Sequence, residues 1–456
     1  MAALILLTHL PLGHRPMRLY GPLFLLIATF VFPSVGSVQD DFPDGTAISL
    51  LQWKHFVPSY DEWFDRYVQD WGKANKVAVT VDRVNFVELP SSLAAEIDAG
   101  QGHTIIELPS SPASFLAGLH DLGDINAQAA AQFGARLDFC TAVSYLPDSD
   151  YFFGFVVGYG LNHGNYDIEL WTEAGYPNGP ATYEDLLLGG RAIYESTGIP
   201  VGIGISPEID SEMANREVIW SFGGSVQDEN GEVVFNSPAT VAAVNYLAQL
   251  QNEAMTDEVF GWSGASNNQA LVAGEVSFIL NPDSAYRSLQ KIDAAAAANI
   301  GFTPALQGPA GAFGGTHVFV SVIPSYVTDA ELAAAKKFLL DYTANYADVT
   351  YNSQLFNLPC YPATVTALPD WFENDPFGSE PANKFAVLKT AIDRSVNFGF
   401  PGYSSPAIAQ VYAEHIIPNV IAQVALGEAS AEEAVAQAHA RIEEIFADWS
   451  RRGRRP

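Results

Sequence analysis

The stretch that most constrains this fold spans residues 267–324, NNQALVAGEVSFILNPDSAYRSLQKIDAAAAANIGFTPALQGPAGAFGGTHVFVSVIP. Residues 269–273 read as the end of a helix, with Gly274 placed to cap it. Residues 276–280 form a short run rich in Val, Phe and Ile, which suits a buried strand. Asn281-Pro282-Asp283 breaks that strand, and Ser284 can cap a helix over 285–292. Residues 300–303 make a second short strand, and a Gly/Pro loop over 307–315 leads to a third at 317–323. A phosphate cradle would need such a loop to open a helix, so that N–H groups and the dipole face the anion. Here Gly314-Gly315 opens a strand. The segment therefore reads as a crossover joining two packed bodies.

The chain before it supplies the first body. Residues 47–52 suit a strand, and 61–75 a helix with Trp63, Phe64, Tyr67, Val68 and Trp71 on one face. A strand at 77–81, a helix near 92–98 and a strand at 104–108 follow. This alternation predicts a mostly parallel sheet with helices on its faces. Such sheets bind ligands outside the carboxyl ends of their strands. Those ends carry Trp53, Lys54, His55 and Phe56, then Glu107, Ser110 and Ser111. Further on, a strand is predicted at 201–205, a helix at 213–222 ending at Gly223-Gly224, and one helix over 407–426. Thr182 to Asp185, Thr328 to Glu331 and Ser430 to Glu433 have capping-box spacing.

A chain of 456 residues should form two domains or lobes rather than one, and 48% hydrophobic residues can fill both cores. Only 16% of residues are charged, yet the net charge is -30. That sign repels nucleic acid and anionic membrane surfaces. Near the start, which is Met1 or Met17, Arg18 precedes an apolar run at 19–32 and small residues at 34–36, the pattern of a cleaved signal peptide. Cys140 and Cys360 lack metal-ligand spacing, which leaves one disulfide or two inert thiols.

Several stretches together resemble a known family. In the crossover they are Ala273-Gly274, Asn281-Pro282, Pro304, Gly308-Pro309, Gly311 and Gly314-Gly315. In FFGFVVGYGLNHGNYDIELWTEAGYP at 152–177 they are Gly154, Tyr159, Asn165-Tyr166-Asp167, Leu170-Trp171 and Glu173-Ala174-Gly175. The set is similar to bacterial extracellular solute-binding proteins of the maltose-binding-like, sugar-type group, which feed ABC importers. Val157-Gly158 stands where that group usually has proline, and no Arg follows LPCYP at 358–362. The resemblance implies an α/β, two-lobed periplasmic-binding-protein-like fold with crossings near 157–162, 303–316 and 355–362. It divides the chain into a signal peptide (1–36), lobe I (46–157), lobe II (163–300), a return to lobe I (301–355) and C-terminal helices of lobe II (360–450). It implies an exported, periplasmic or extracytoplasmic monomer that delivers its ligand to membrane permease subunits and carries no cofactor or metal. With Cys140 ahead of the first crossing and Cys360 at the third, the same hinge region would hold both, so a disulfide is expected.

For a carbohydrate ligand, aromatic rings at strand ends and crossings offer flat platforms to the C–H face of a sugar. Trp53, Tyr159, Trp262, Tyr286, Tyr361 and Tyr403 hold such places. Glu107, Asn281, Asp283 and Arg287 are the polar candidates, joined by His55, Ser110 and Gly315 at the same edges. Each has a structural alternative as a core ring, a turn or a cap. Trp53 and Tyr361 are expected to stack on the ligand from opposite lobes. Signs of catalysis are sparse: His55, His103, His163 and His317 are scattered, and there is no zinc-spaced His pair and no Gly-x-Ser-x-Gly. A glycosidase acid pair stays open, since its two carboxylates can lie far apart in sequence. The alternatives are thus an exported glycoside hydrolase, or a binder of a polyol or oligopeptide. N-terminal sequencing of the protein from its native host should give a first residue near Ser37; a cytosolic form retaining residues 19–32 would overturn the export reading.

Overall fold

The computed structural model describes residues 42–452, so the expected signal peptide at 1–36 lies outside it. The larger sheet begins with β1 (Ala47–Trp53), β2 (Ala78–Val84) and β3 (Ile105–Leu108), in the order β2-β1-β3 and all parallel. Parallel neighbours need long crossovers, usually a helix. Helix Pro58–Asn75 supplies one and buries Tyr60, Phe64, Val68 and Trp71, a 3.6-residue stripe. Helix Leu89–Ala99 supplies the other and buries Leu89 and Leu93. A ribbon of β4 (Tyr145–Leu146) and β5 (Tyr151–Phe152) precedes β6 (Phe155–Leu161). After the single residue Asn162, β7 (His163–Asp167) already belongs to a second sheet, where it pairs antiparallel with β8 (Phe278–Asn281) and β9 (Ile300–Thr303). Then β10 (Gly314–Val322) returns and inserts between β6 and β3, antiparallel to both. β11 (Leu358–Pro359) lies beyond β6, and β12 (Ser395–Val396) pairs with the start of β10. The large sheet is therefore mixed rather than mostly parallel. Only β1–β3 are joined by helical crossovers, whereas β10 enters from the other lobe.

Two cores fill the lobes. Successive side chains of a strand face opposite ways, so β8 sends Phe278 and Leu280 into the smaller core and Ile279 into the larger one. The segment 201–205 forms only an isolated bridge, Val201 to Phe278, not a strand. The capping boxes at Thr182 and Ser430 form, but Thr328 makes no side-chain cap bond. The helix expected over 407–426 is broken into Pro406–Ala413 and Ile416–Ala425 by His415, which sits at φ 49°.

Three passes of chain meet between the lobes. The backbone N–H of Asn162 donates to Gly315 O (3.3 Å), and Gly314 N–H donates to Arg394 O (2.9 Å). Thr316 Oγ1 donates to Val396 O (3.3 Å), and Arg394 Nη1 donates to Ala305 O (2.6 Å). The third pass thus lies at Arg394–Val396, later than the 355–362 expected. At 358–359 the chain is still in the large sheet, paired with Tyr159 and Gly158. The next residue, Cys360, is bonded to Cys140, with Cα atoms 6.0 Å apart. Buried residues up to Ala391 belong to the larger core, and the chain joins the smaller one at Ala407.

Gly158, which stands where proline was expected from the family pattern, has a local reason. An added Cβ there would overlap the Tyr346 hydroxyl and crowd the Leu358 carbonyl. Gly158→Ala should cost roughly 1–3 kcal/mol, the usual range for overpacking a core, read as a lower urea midpoint. An unchanged midpoint would show that Tyr346 yields freely.

Candidate functional site

The carboxyl ends of β1 and β2 face the second lobe across a cleft holding two adjoining cavities. One measures about 440 Å³. The large sheet contributes Lys54 and Phe56 after β1, Asn85 after β2, His317 from β10, and Phe356. The smaller lobe contributes Asp210, Ser263, Asn268, Asn281 and Ser284. The other cavity measures about 370 Å³; both are mostly apolar, and Leu108, Pro109, Phe115, Phe398, Ile408 and Tyr412 stand on its walls. Phe86, Val87, Glu208 and Ile209 line both cavities.

Local chemistry explains the polar groups of the first cavity. Helix Ile209–Phe222 points its N-terminus at the cleft, and Glu208 caps it by accepting from Asp210 N–H (2.7 Å) and Ser211 N–H. Asp210 accepts from Asn267 Nδ2 (3.0 Å). Burial raises both carboxyl pKa values, and the neighbouring Glu208 charge pushes Asp210 well above the usual range. Burial also lowers His317 to about 4, so its imidazole is neutral at pH 7. Asn281 Nδ2 donates to Asn268 Oδ1, and Asn268 Nδ2 donates to Ser284 Oγ (3.1 Å). Donors and acceptors thus alternate along one wall, while Phe56 (45% exposed), Phe86 and Phe356 present rings opposite.

Of the residues expected at the site, Ser110 lines the second cavity and Asn281 the first. Lys54 and Phe56, at the same strand end as Trp53, also line it. Trp53 is 3% exposed and sits one layer beneath, with ring centroids 5.0 Å from Phe56 and 5.2 Å from Phe86. Tyr361 is 1% exposed and packs beside Phe133 and Arg136 in the same core as Trp53, so the two rings neither face a cleft nor lie in opposite lobes. Tyr159 and Tyr286 are core rings, against Phe139 and against Phe302 and Phe385 respectively. His55 accepts from Val57 N–H at Nδ1 and donates from Nε2 to Asn357 Oδ1 (3.0 Å), and burial lowers its pKa to about 3. Glu107 is buried and bonded to Trp53, with its pKa raised to about 7 by burial. Asp283 is a buried ion-pair partner of Arg287 (3.6 Å), which in turn grips Asp375 with two N–H groups (2.8 and 2.9 Å). Trp262 lines a separate depression with Pro200 and Glu275. Tyr403 is 41% exposed and packs its ring on Tyr145.

Gly315 belongs to the hinge, not the cavity. Its N–H donates to Glu217 Oε1 (2.6 Å), which also accepts from Asn162 Nδ2 (2.6 Å). One buried carboxyl of helix Ile209–Phe222 thus holds two interlobe passes. The cleft residues not anticipated are chiefly Asn85, Phe86 and Val87 after β2, and Glu208 to Asp210. The strand-end rule, applied to β2 as it was to β1 and β3, would have found the first three. Nothing local in the sequence marks the others, because the segment before them is not a strand.

Burial raises the Glu217 pKa to about 8 from the usual 4.5. Between those values the folded protein keeps a proton that the unfolded chain has lost, so this group makes stability fall as pH rises. Glu217→Gln keeps the accepting oxygen and removes the titration. Relative to the variant, the native protein should lose up to about 1.4 kcal/mol per pH unit between pH 5 and 8, measured by urea unfolding at several pH values. Parallel profiles would show that Glu217 titrates normally.

A family model described as bacterial extracellular solute-binding protein matches residues 66–377. No curated protein matches the chain. Maltose-bound MalE3 from T. maritima is 18% identical, with a TM-score of 0.73 over 88% of this chain and 100% of that one. A sugar transporter from Arthrobacter chlorophenolicus A6 with bound laminaribiose is 14% identical, with a TM-score of 0.71 over 88% and 99%. An ABC transporter solute-binding protein from Agrobacterium radiobacter K84 in complex with ribitol is 14% identical, with a TM-score of 0.69 over 88% and 99%.

Proposed function

The chain belongs to the bacterial extracellular solute-binding proteins, and on that premise we propose that it captures a carbohydrate in its interlobe cleft and delivers it to an ABC importer. The observation that carries the ligand class is the set of polar groups and rings around the 440 Å³ cavity. Amides, hydroxyls and a carboxyl line one wall, and three phenyl rings line the other. Sugar hydroxyls both donate and accept, and sugar C–H faces suit flat rings. The structurally similar proteins bound to maltose, laminaribiose and ribitol support this choice. Members of the family are binding proteins rather than enzymes. Closure of the lobes over the ligand would exclude water, a hinge motion of known type. Delivery to permease subunits, export and a monomeric state rest on family membership. Among the described residues no helix is long and apolar enough to cross a membrane.

A thermal-shift series with maltose, laminaribiose, ribitol and further sugars should find a ligand that raises the melting temperature, since only the native state binds it. Phe56→Ala should then weaken that ligand roughly tenfold, about 1.4 kcal/mol. Because Phe56 is exposed, stability should change by no more than about 0.5 kcal/mol. No shift with any sugar or polyol would remove the carbohydrate reading. Cleavage of a bound oligosaccharide would favour the hydrolase instead.

A further inference from the structure

The three passes of the hinge are continuous chain and cannot part. Another link between the lobes is not covalent. The backbone N–H of Ser404 donates to Ala142 O (2.8 Å), and the Tyr403 ring meets Tyr145 edge-on, with centroids 6.0 Å apart. Tyr403 and Ser404 belong to the small-lobe side. Gln227 Nε2 donates to Tyr403 O (2.8 Å) and Gly399 O (2.7 Å), and its neighbour Val226 lies in the smaller core. The helix that Ser405 caps brings Ala407 and Ile408 into the same core. Ala142 and Tyr145 belong to the large-lobe side, where Phe139, Cys140 and Val143 are core residues.

The large-lobe half of this link hangs on helix Asp138–Ala142, which has five residues. A helix shorter than about 12 residues is marginal by itself. This one is fastened from outside. Cys140 is bonded to Cys360, Leu137 N–H donates to Cys360 O (3.0 Å), and Cys360 N–H donates to Val157 O of β6 (3.1 Å). The disulfide therefore pins the short helix to the edge of the large sheet. Just past the helix, Val143 O accepts from Ser111 Oγ (2.8 Å). Ser111 and Ser404 both border the 370 Å³ cavity, so the link stands at the cleft.

We propose that the Ala142–Ser404 contact is a latch that holds the lobes together, and that the Cys140–Cys360 disulfide positions its large-lobe half. This rests on the lobes moving about the hinge, not on the ligand being a carbohydrate. One backbone bond and one ring edge can part without unfolding either core, so the latch biases the hinge toward closure without fixing it there. Without the disulfide the short helix loses its covalent anchor, Ala142 O leaves Ser404, and open forms gain population. A ligand then meets fewer binding-competent molecules, and its apparent affinity falls in proportion.

The test needs no ligand. Small-angle X-ray scattering gives the radius of gyration of the protein without added sugar, and hydrogen exchange reads the peptide holding Ser404. They are applied to the native chain, to Cys140→Ser with Cys360→Ser, to Tyr403→Ala, and to all three changes together, each shown to be folded by its thermal melt. The serine variant should have a larger radius of gyration, and its Ser404 amide should exchange at least about tenfold faster. Tyr403→Ala should shift both readings the same way. Adding it to the serine variant should expand the protein no further, because both changes act on one link. A folded serine variant with the native radius and native exchange at Ser404 would overturn the inference. So would an expansion that leaves Ser404 protected, or one that grows by the full Tyr403→Ala increment in the combined variant. If the serine variant fails to fold, Tyr403→Ala decides alone: its ring is 41% exposed, and an unchanged radius there rules the latch out.

Discussion

The Glu217 carboxyl joins what would otherwise be separate bodies. It accepts from Asn162, the single residue between β6 and β7, and from Gly315, where β10 begins its return. The third pass then pairs its β12 with Gly314 and Gly315. All three crossings are therefore tied within a few residues of one buried side chain. Burying a carboxylate is costly unless it is bonded, and one Glu217 oxygen has no partner. Keeping the group protonated lowers that cost, which is why its pKa is driven upward.

The same helix reaches from the hinge to the ligand. Its last turns carry Glu217, and its N-terminus carries Glu208 and Asp210 at the cleft. One helix thus joins the cleft to the crossings. The two walls divide the work. The large lobe brings rings from the ends of β1 and β2 and from Phe356, and the small lobe brings carboxyls and amides. Trp53 supports this arrangement from below: it touches Phe56, Phe86 and Phe356 without reaching the cavity.

Much of this was determined by sequence alone. The two-lobed α/β fold, the crossover at 303–316 and most element positions follow from periodicity, caps and the family pattern. Capping at Thr182 and Ser430, the Gly274 and Gly223 helix stops, and the stripe of helix Pro58–Asn75 are local effects, and local chemistry decides them. The Cys140–Cys360 bond was anticipated, but from a crossing expected at Cys360 that lies instead at Arg394–Val396. What tertiary structure decided is which side of an element each residue faces and which distant segments become neighbours. Trp53 and Phe56 are three residues apart at one strand end, yet one is core and the other is cleft. Tyr361 looked like a platform because a crossing was expected beside it, but pairing of β11 with β6 kept that segment in the large sheet. The antiparallel insertion of β10 and the passage at Arg394–Val396 depend on pairings between residues tens to hundreds of positions apart. Side-chain period and turn chemistry act over a few residues and carry no information about such partners.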